Sequence, residues 1–190
     1  MISRSPLLLT LVATLAVLST QPTQADEDHK SEDNTNRVTI IGSKNAAKNV
    51  PGSALVVDSE QIEEMKYSDA TKALQQLPGV YIQQEDGLGL RPNIGLRGTP
   101  TERSGHITLM EDGVLIAPAP YAASSAYYFP TFDRITGIEV LKGAASIKHG
   151  PFTVGGAINF LTRPIADDAE GQLKLGFGQD GEQQLYGYYT

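Results

Sequence analysis

The sequence predicts an α+β fold: a small mixed sheet built from short strands and short helices, followed by strands of a different character. Three observations predict it. Between Ser53 and Pro164, short aliphatic runs alternate with stretches of helical spacing, each bounded by turn residues. With 19 Gly and 11 Pro, the chain is punctuated too often for long elements. After Pro164 the pattern changes to alternating, tyrosine-rich segments.

Composition narrows the function classes. The 190 residues suffice for one or two domains. A net charge of −7 is the wrong sign for a nucleic-acid partner, which requires a basic surface to displace counterions from phosphate. With no cysteine, the chain has no disulfide framework, thiolate nucleophile or Cys-ligated metal.

Residues 1–25 read as an export signal: Arg4 is the one charge, Pro6 to Leu18 is apolar apart from two Thr, and Ala25 suits cleavage. That apolar core is shorter than the roughly 20 residues a spanning helix needs. Asp26 to Asn36 carries five acidic residues and no aliphatic or aromatic side chain, so it is expected to stay mobile. Val38-Thr39-Ile40-Ile41 then reads as a short strand between two tethers. Two readings are equally open for it: the first strand of the domain sheet, or a strand held out for a partner to pair with.

From Ser53 each element has a local cause. Leu55-Val56-Val57 is a strand, and Asp58 with Gln61 three residues later caps a helix through Met65. Ser68 is read as the cap of a second helix, with Ala70, Ala73, Leu74 and Leu77 on one face, ended by Pro78-Gly79. Val80 to Gln83 alternates as a half-buried strand. Ile107 to Met110 and Val114 to Ile116 flank Glu111-Asp112-Gly113, where Asp-Gly supplies the positive φ of a tight hairpin. Gly137 to Gly143 and Ala157 to Leu161 complete the strands of the first part.

Beyond Pro164, Leu173, Leu175 and Phe177 share one face and Gln172, Lys174 and Gly176 the other; Gly178 to Glu182 turns, and Leu185 to Thr190 resumes. Alternation of this type with flanking aromatics fits either an ordinary final hairpin or the first strands of an outer-membrane barrel.

Catalytic patterns are missing. His29, His106 and His149 have no metal-ligand spacing, and neither a nucleophile elbow nor a P-loop occurs. Gly87-Leu88-Gly89-Leu90-Arg91-Pro92 begins like a dinucleotide loop, but Pro92 stands where the third Gly belongs. Glu85-Asp86 and Glu111-Asp112 are adjacent acids in turn sequences, where such pairs are usually solvated. No enzyme is expected, and no resident metal or cofactor.

An ordered series of motifs runs from Val38 to Arg163: Asp69-Ala70-Thr71, Leu77-Pro78-Gly79-Val80, Asn93-Ile94-Gly95-Leu96-Arg97-Gly98, Met110-Glu111-Asp112-Gly113, Ile138-Glu139-Val140-Leu141-Lys142-Gly143 and Gly150-Pro151-Phe152-Thr153-Val154-Gly155-Gly156-Ala157-Ile158-Asn159-Phe160. Together they resemble the plug domain of TonB-dependent outer-membrane receptors. Leu109 to Val114, Ala117 to Tyr121 and Ala126 to Tyr128 are similar to the ferric-citrate branch of that family.

The resemblance implies an organisation: a signal peptide over 1–25, a flexible acidic tail and TonB box over 26–52, the plug over 53–165 and the start of a transmembrane β-barrel over 166–190, the chain being an N-terminal fragment. It implies location in the cell outer membrane with a periplasmic N-terminus, import of ferric citrate or another ferric siderophore, and coupling to the periplasmic protein TonB. Val38, Thr39, Ile40 and Ile41 would be the TonB box. Arg91, Thr99, Arg103, Tyr121 and Ser124 would lie in ligand-facing plug loops, where arginines suit an anionic iron complex. Arg97, Arg134 and Lys142 would pair the plug to barrel carboxylates. Ala122-Ala123 departs from the ferric-citrate branch, and the short stretch Asp26 to Arg37 leads to an expectation of transport without transcriptional signalling. The competing reading is an exported free-standing α/β binding module or small enzyme.

Overall fold

Strand segments that carry aliphatic side chains on both faces need cover on both, and the chain supplies it from short helices on one side and its own N-terminal segment on the other. The computed structural model describes residues 38–67, 69–85, 91–116 and 128–190. The export signal, the acidic tail, Ser68, Gly87 to Leu90, Tyr121 and Ser124 lie outside the described residues.

The elements in chain order are α1 (Lys44–Ala47), β1 (Ser53–Val57), α2 (Ser59–Met65), α3 (Ala70–Gln75), β2 (Val80–Gln84), β3 (Pro92–Leu96), β4 (Ile107–Glu111), β5 (Val114–Leu115), β6 (Ile135–Lys142), β7 (Gly156–Thr162), β8 (Gly171–Phe177) and β9 (Gln183–Tyr189). A five-stranded mixed sheet has the order β1-β6-β7-β4-β5, with β4 and β7 parallel and the other pairs antiparallel. The hairpins β2–β3 and β8–β9 form two separate two-stranded sheets.

Local chemistry sets the elements. Asp58 caps α2 by accepting from the Gln61 amide at 3.1 Å. The second helix is capped one residue later than the sequence reading placed it: Asp69, not Ser68, accepts from the Thr71 amide at 2.7 Å and the Thr71 hydroxyl at 2.5 Å. At the β4–β5 turn, Asp112 and Gly113 adopt φ of 48° and 79°, the positive pair that a two-residue hairpin requires. Asp112 also accepts from the Thr162 amide and hydroxyl, fastening this turn to β7.

The main core lies on one face of the sheet. Val57, Ile138, Val140, Ile158 and Phe160 from the strands meet Ile62, Ala73 and Leu74 from α2 and α3, with Ile94 and Leu96 from β3. The strand β3 went unrecognised in sequence because all five of its residues are buried and show no alternation. On the opposite face Met110, Leu141 and Ala157 pack against Ile40, Ile41, Val50, Ala54 and Ala145.

The terminal hairpin is inverted relative to the rest. Its register places Leu173, Leu175, Phe177, Leu185 and Tyr189 on one side, and all five are exposed. The other side faces the domain: Lys174 and Gln184 both reach Asp133, at 3.1 and 3.0 Å, and Arg163 lies 3.9 Å from the Tyr188 ring centroid. Polar-in, apolar-out alternation is what a membrane barrel wall requires. The second strand of this hairpin begins at Gln183, two residues before the expected Leu185.

Candidate functional site

The segment Val38 to Ile41 has the composition of a strand but does not form one. Its amides are taken by a side chain that is about a hundred residues away in sequence. Glu139, in the middle of β6, is fully buried and points to the face opposite the main core. Its carboxylate accepts from Ile40 N at 2.7 Å, Ile41 N at 3.0 Å and Gly42 N at 2.7 Å. Asn159, directly across from Glu139 on β7, donates from Nδ2 to Glu139 Oε2 at 3.0 Å and to the Val38 carbonyl at 3.1 Å. The Asn159 Oδ1 accepts from Gly113 N at 2.9 Å.

Four N–H donors thus compensate one buried negative charge. Charge-assisted bonds of this type stabilise by about 1.5 to 3 kcal/mol each. The apolar hold is weaker: Ile40 and Ile41 are half-buried, while Val38 and Thr39 are exposed. Beside this segment lies a groove of about 390 Å³, lined by Ile40, Ile41, Val50, Leu141, Ala145 and Ile147.

His149 stands at the end of the turn Ala144–His149, and among the described residues its buried Nε2 has no partner. Burial pushes its pKa below the ordinary value, Lys148 pushes in the same direction, and the charge of Glu139 opposes them. The unfolded chain therefore takes up a proton near pH 6.5 that the folded chain refuses until lower pH. Stability is expected to fall as pH drops below about 6.5 and to level off once the folded histidine is itself protonated. Urea midpoints across that range, in wild type and His149→Gln, check this; the variant should show the shallower decline.

The other sequence-identified residues are dispersed. Arg91 and Arg103 are exposed, and Arg103 has a left-handed φ of 51°. Asn93 joins the two loops that hold them, donating to Glu85 at 2.9 Å and accepting from the Arg103 amide at 2.7 Å. Thr99 turns inward, its hydroxyl accepting from Leu96 N and donating to Leu96 O. Arg134 pairs with Glu111 at 2.6 Å and contacts the Tyr128 hydroxyl, which donates to Glu111 at 2.8 Å; these bonds lie within the domain. Lys142 is almost fully buried and donates to the Pro78 carbonyl. Burial and then the nearby Arg97 lower its pKa. The Arg97 guanidinium is beside Gly143.

Sequence reasoning missed Glu139, Asn159 and Gly113 as a cluster. The available signal was an acid set directly between Ile138 and Val140. It missed Asp133 and Arg163 as the residues of the preceding domain that touch the hairpin. Among the described residues, no group of His or acidic side chains is placed to hold a metal ion.

Comparison with known proteins gives the family. Residues 46–157 match the TonB-dependent Receptor Plug Domain. The chain is 32% identical over 161 residues to the vitamin B12 transporter BtuB of Vibrio vulnificus (strain YJ016), covering 83% of this chain and 25% of that protein. It is 29% identical over 155 residues to an iron-regulated outer membrane virulence protein of Vibrio cholerae, covering 78% of this chain and 23% of that protein. The chain therefore spans about a quarter of the length of these relatives. Among solved structures, the unliganded ferric citrate transporter FecA superposes with a TM-score of 0.60 at 26% identity, covering 69% of this chain and 20% of that one. A mutant ferric enterobactin receptor PfeA from Pseudomonas aeruginosa superposes at 0.53 and 22% identity, covering 69% and 20%, a likeness of fold alone. With its mixed sheet, its covered N-terminal segment and its inverted hairpin, the chain belongs to the TonB-dependent receptor plug family and carries the plug together with the first barrel strands.

Proposed function

We propose that this chain is the gating part of an outer-membrane receptor that imports a ferric chelate, ferric citrate first among the candidates, with Val38 to Ile41 as the segment grasped by TonB. The observation that carries the reading is the inverted hairpin. A strand pair that turns its polar side to the plug and its leucines outward fits a barrel wall in lipid with the plug in its lumen. Arg91 and Arg103, exposed on two loops that Asn93 ties together, suit an anionic iron complex. Arg97 and Lys142, close together, are the candidates for barrel carboxylates, whereas Arg134 is already engaged by Glu111.

Two ligand chemistries stand in the names of the similar proteins, vitamin B12 and ferric citrate. Uptake of labelled ferric citrate, ferric enterobactin and vitamin B12 by receptor-deficient cells expressing the intact protein distinguishes them. Uptake of ferric citrate that stops when a protonophore collapses the inner-membrane gradient is the expected result. Preference for either other ligand would replace ferric citrate and keep the receptor; proton-independent uptake, or none of any compound, would overturn the coupling reading.

A further inference from the structure

Arg163 carries a charge that its own domain does not neutralise. Its guanidinium carbon stands 3.9 Å from the Tyr188 ring centroid, its buried Nε has no partner, and among the described residues no ion pair includes it. A buried N–H left unpaired costs about 1 to 3 kcal/mol. Asp133 does not relieve it, being engaged by Lys174 at 3.1 Å and Gln184 at 3.0 Å. Stacking on a ring uses the face of a guanidinium and leaves the N–H groups in its plane free to donate. Arg163 borders a cavity of about 350 Å³ between α2, the start of β6 and the hairpin β8–β9. The aromatic side chains of Tyr67, Phe132 and Tyr186 line it together with Ile62 and Ile135. Its charged lining is Lys66, Arg163 and Lys174 against Glu63 and Asp133, a surplus of one positive charge.

We propose that this seam between the domain and the hairpin is a binding site for a small aromatic carboxylate, whose anionic end pairs with Arg163 and whose ring lies among Tyr67, Phe132 and Tyr186. Largely apolar walls around a few convergent polar groups are the composition of a small-molecule site. A carboxylate fits the guanidinium fork by accepting two parallel N–H bonds, and it supplies the negative charge that the lining lacks. An aromatic ring fits the rest, because rings pack edge to face or offset against other rings and gain beyond the area they bury. A bare inorganic anion would leave those walls unfilled. The volume lies near the lower end of ligand pockets, roughly 300 to 1,000 Å³, which suits a compound of one or two fused rings. The site is separate from those proposed above: its lining includes neither Val38 to Ile41 nor Arg91, Thr99 and Arg103. A compound held there touches α2, β6 and both strands of the hairpin at once, and so ties the domain to the wall strands.

The test uses the intact protein in detergent and a fluorinated naphthoate, whose binding is read from the broadening of its fluorine NMR line. The matching naphthamide has the same rings and no charge. The naphthoate is expected to bind wild type roughly tenfold or more tightly than the naphthamide does. Arg163→Gln removes the positive charge and should weaken naphthoate binding roughly tenfold or more, while leaving the naphthamide nearly unaffected. Ser59 lines the cavity from the exposed first turn of α2, so Ser59→Trp fills part of the space and leaves Arg163 and the three rings in place. That variant should lose both compounds, and it reports on the cavity even where Arg163→Gln loosens the hairpin. Equal naphthoate affinity in wild type and Ser59→Trp, or equal affinity of the two compounds for wild type, overturns the site. Broadening no greater than in detergent alone overturns it as well. None of these outcomes bears on which compound is imported, because the readout is binding to the seam and not uptake.

Discussion

Cells whose receptor lacks Val38 to Ile41 are expected to bind ligand with wild-type affinity and to accumulate none of it. Among the described residues, the stretches that carry Arg91, Thr99 and Arg103 flank β3 and make no hydrogen bond to Val38–Ile41. Removing the box therefore leaves their geometry intact. Energised uptake should fall to the level of cells treated with a protonophore, because no segment remains for a partner strand to pair with. The structure adds a second consequence. The segment is not a dangling appendage, since the amides of Ile40, Ile41 and the adjoining Gly42 donate to Glu139. Deletion takes Ile40 and Ile41 from that set and should destabilise the plug by about 1 to 3 kcal/mol, the cost of a partly unsatisfied buried acceptor. Equilibrium binding, uptake and urea midpoints on the same variant separate the two effects. Unimpaired uptake would refute the assignment of the box.

The second large effect is on the fold. Gly156→Ala is expected to destabilise the plug by about 3 kcal/mol or more, a large share of the roughly 5 to 15 kcal/mol typical of a domain. Gly156 has a φ of +151°, a region that L side chains rarely adopt. It is the first residue of β7, paired with Ile107 on one side and Lys142 on the other, so a neighbouring backbone approaches closely. A Cβ at this position would lie 2.2 Å from the Leu141 carbonyl oxygen and 2.7 Å from Leu96 Cδ1. One obstacle is backbone and the other a fully buried side chain, so neither yields easily. Gly181→Ala is the control: its φ of +81° is also positive, but nothing lies within 4 Å of the added methyl group. It should cost only about 1 kcal/mol, from backbone strain alone. Equal urea midpoints for the two variants would show that close packing at Gly156 has no role.

What was legible in the sequence was whatever a few neighbouring residues decide. Asp58 capping α2, the Asp112-Gly113 turn and the leucine–phenylalanine face of β8 each follow from chemistry within one turn or one strand. The cap of α3 was displaced by one residue because Ser68 and Asp69 are both competent, and Asp69 also bonds the Thr71 hydroxyl and Gln84. What could not be read was decided by distant partners. Val38 to Ile41 has strand propensity, yet Glu139 takes its amides, and propensity carries no information about a carboxylate on another element. Glu139 itself reads as the solvent side of an alternating strand, because in sequence a polar face covered by the chain's own backbone is indistinguishable from one covered by water. Asp133 is uninformative until Lys174 and Gln184 arrive from the hairpin.

The order of strands in the sheet also bears on how the chain assembles. The hairpins β2–β3, β4–β5 and β6–β7 join near neighbours in sequence, and contacts of that type form on a scale of about 1 to 10 μs. Strand β1 has a single strand neighbour in the sheet, β6, with Ser53 opposite Lys142, so its ladder closes a loop around most of the domain. Loop closure over that span is slow and brings no reward until β6 is in place. Docking of residues 38–42 needs still more: Glu139 on β6, Asn159 on β7 and Gly113 at the β4–β5 turn must already be adjacent. It therefore comes last, and a chain caught part-way through assembly presents its N-terminal segment uncovered. A docked N-terminal segment is thus a certificate of a completed plug.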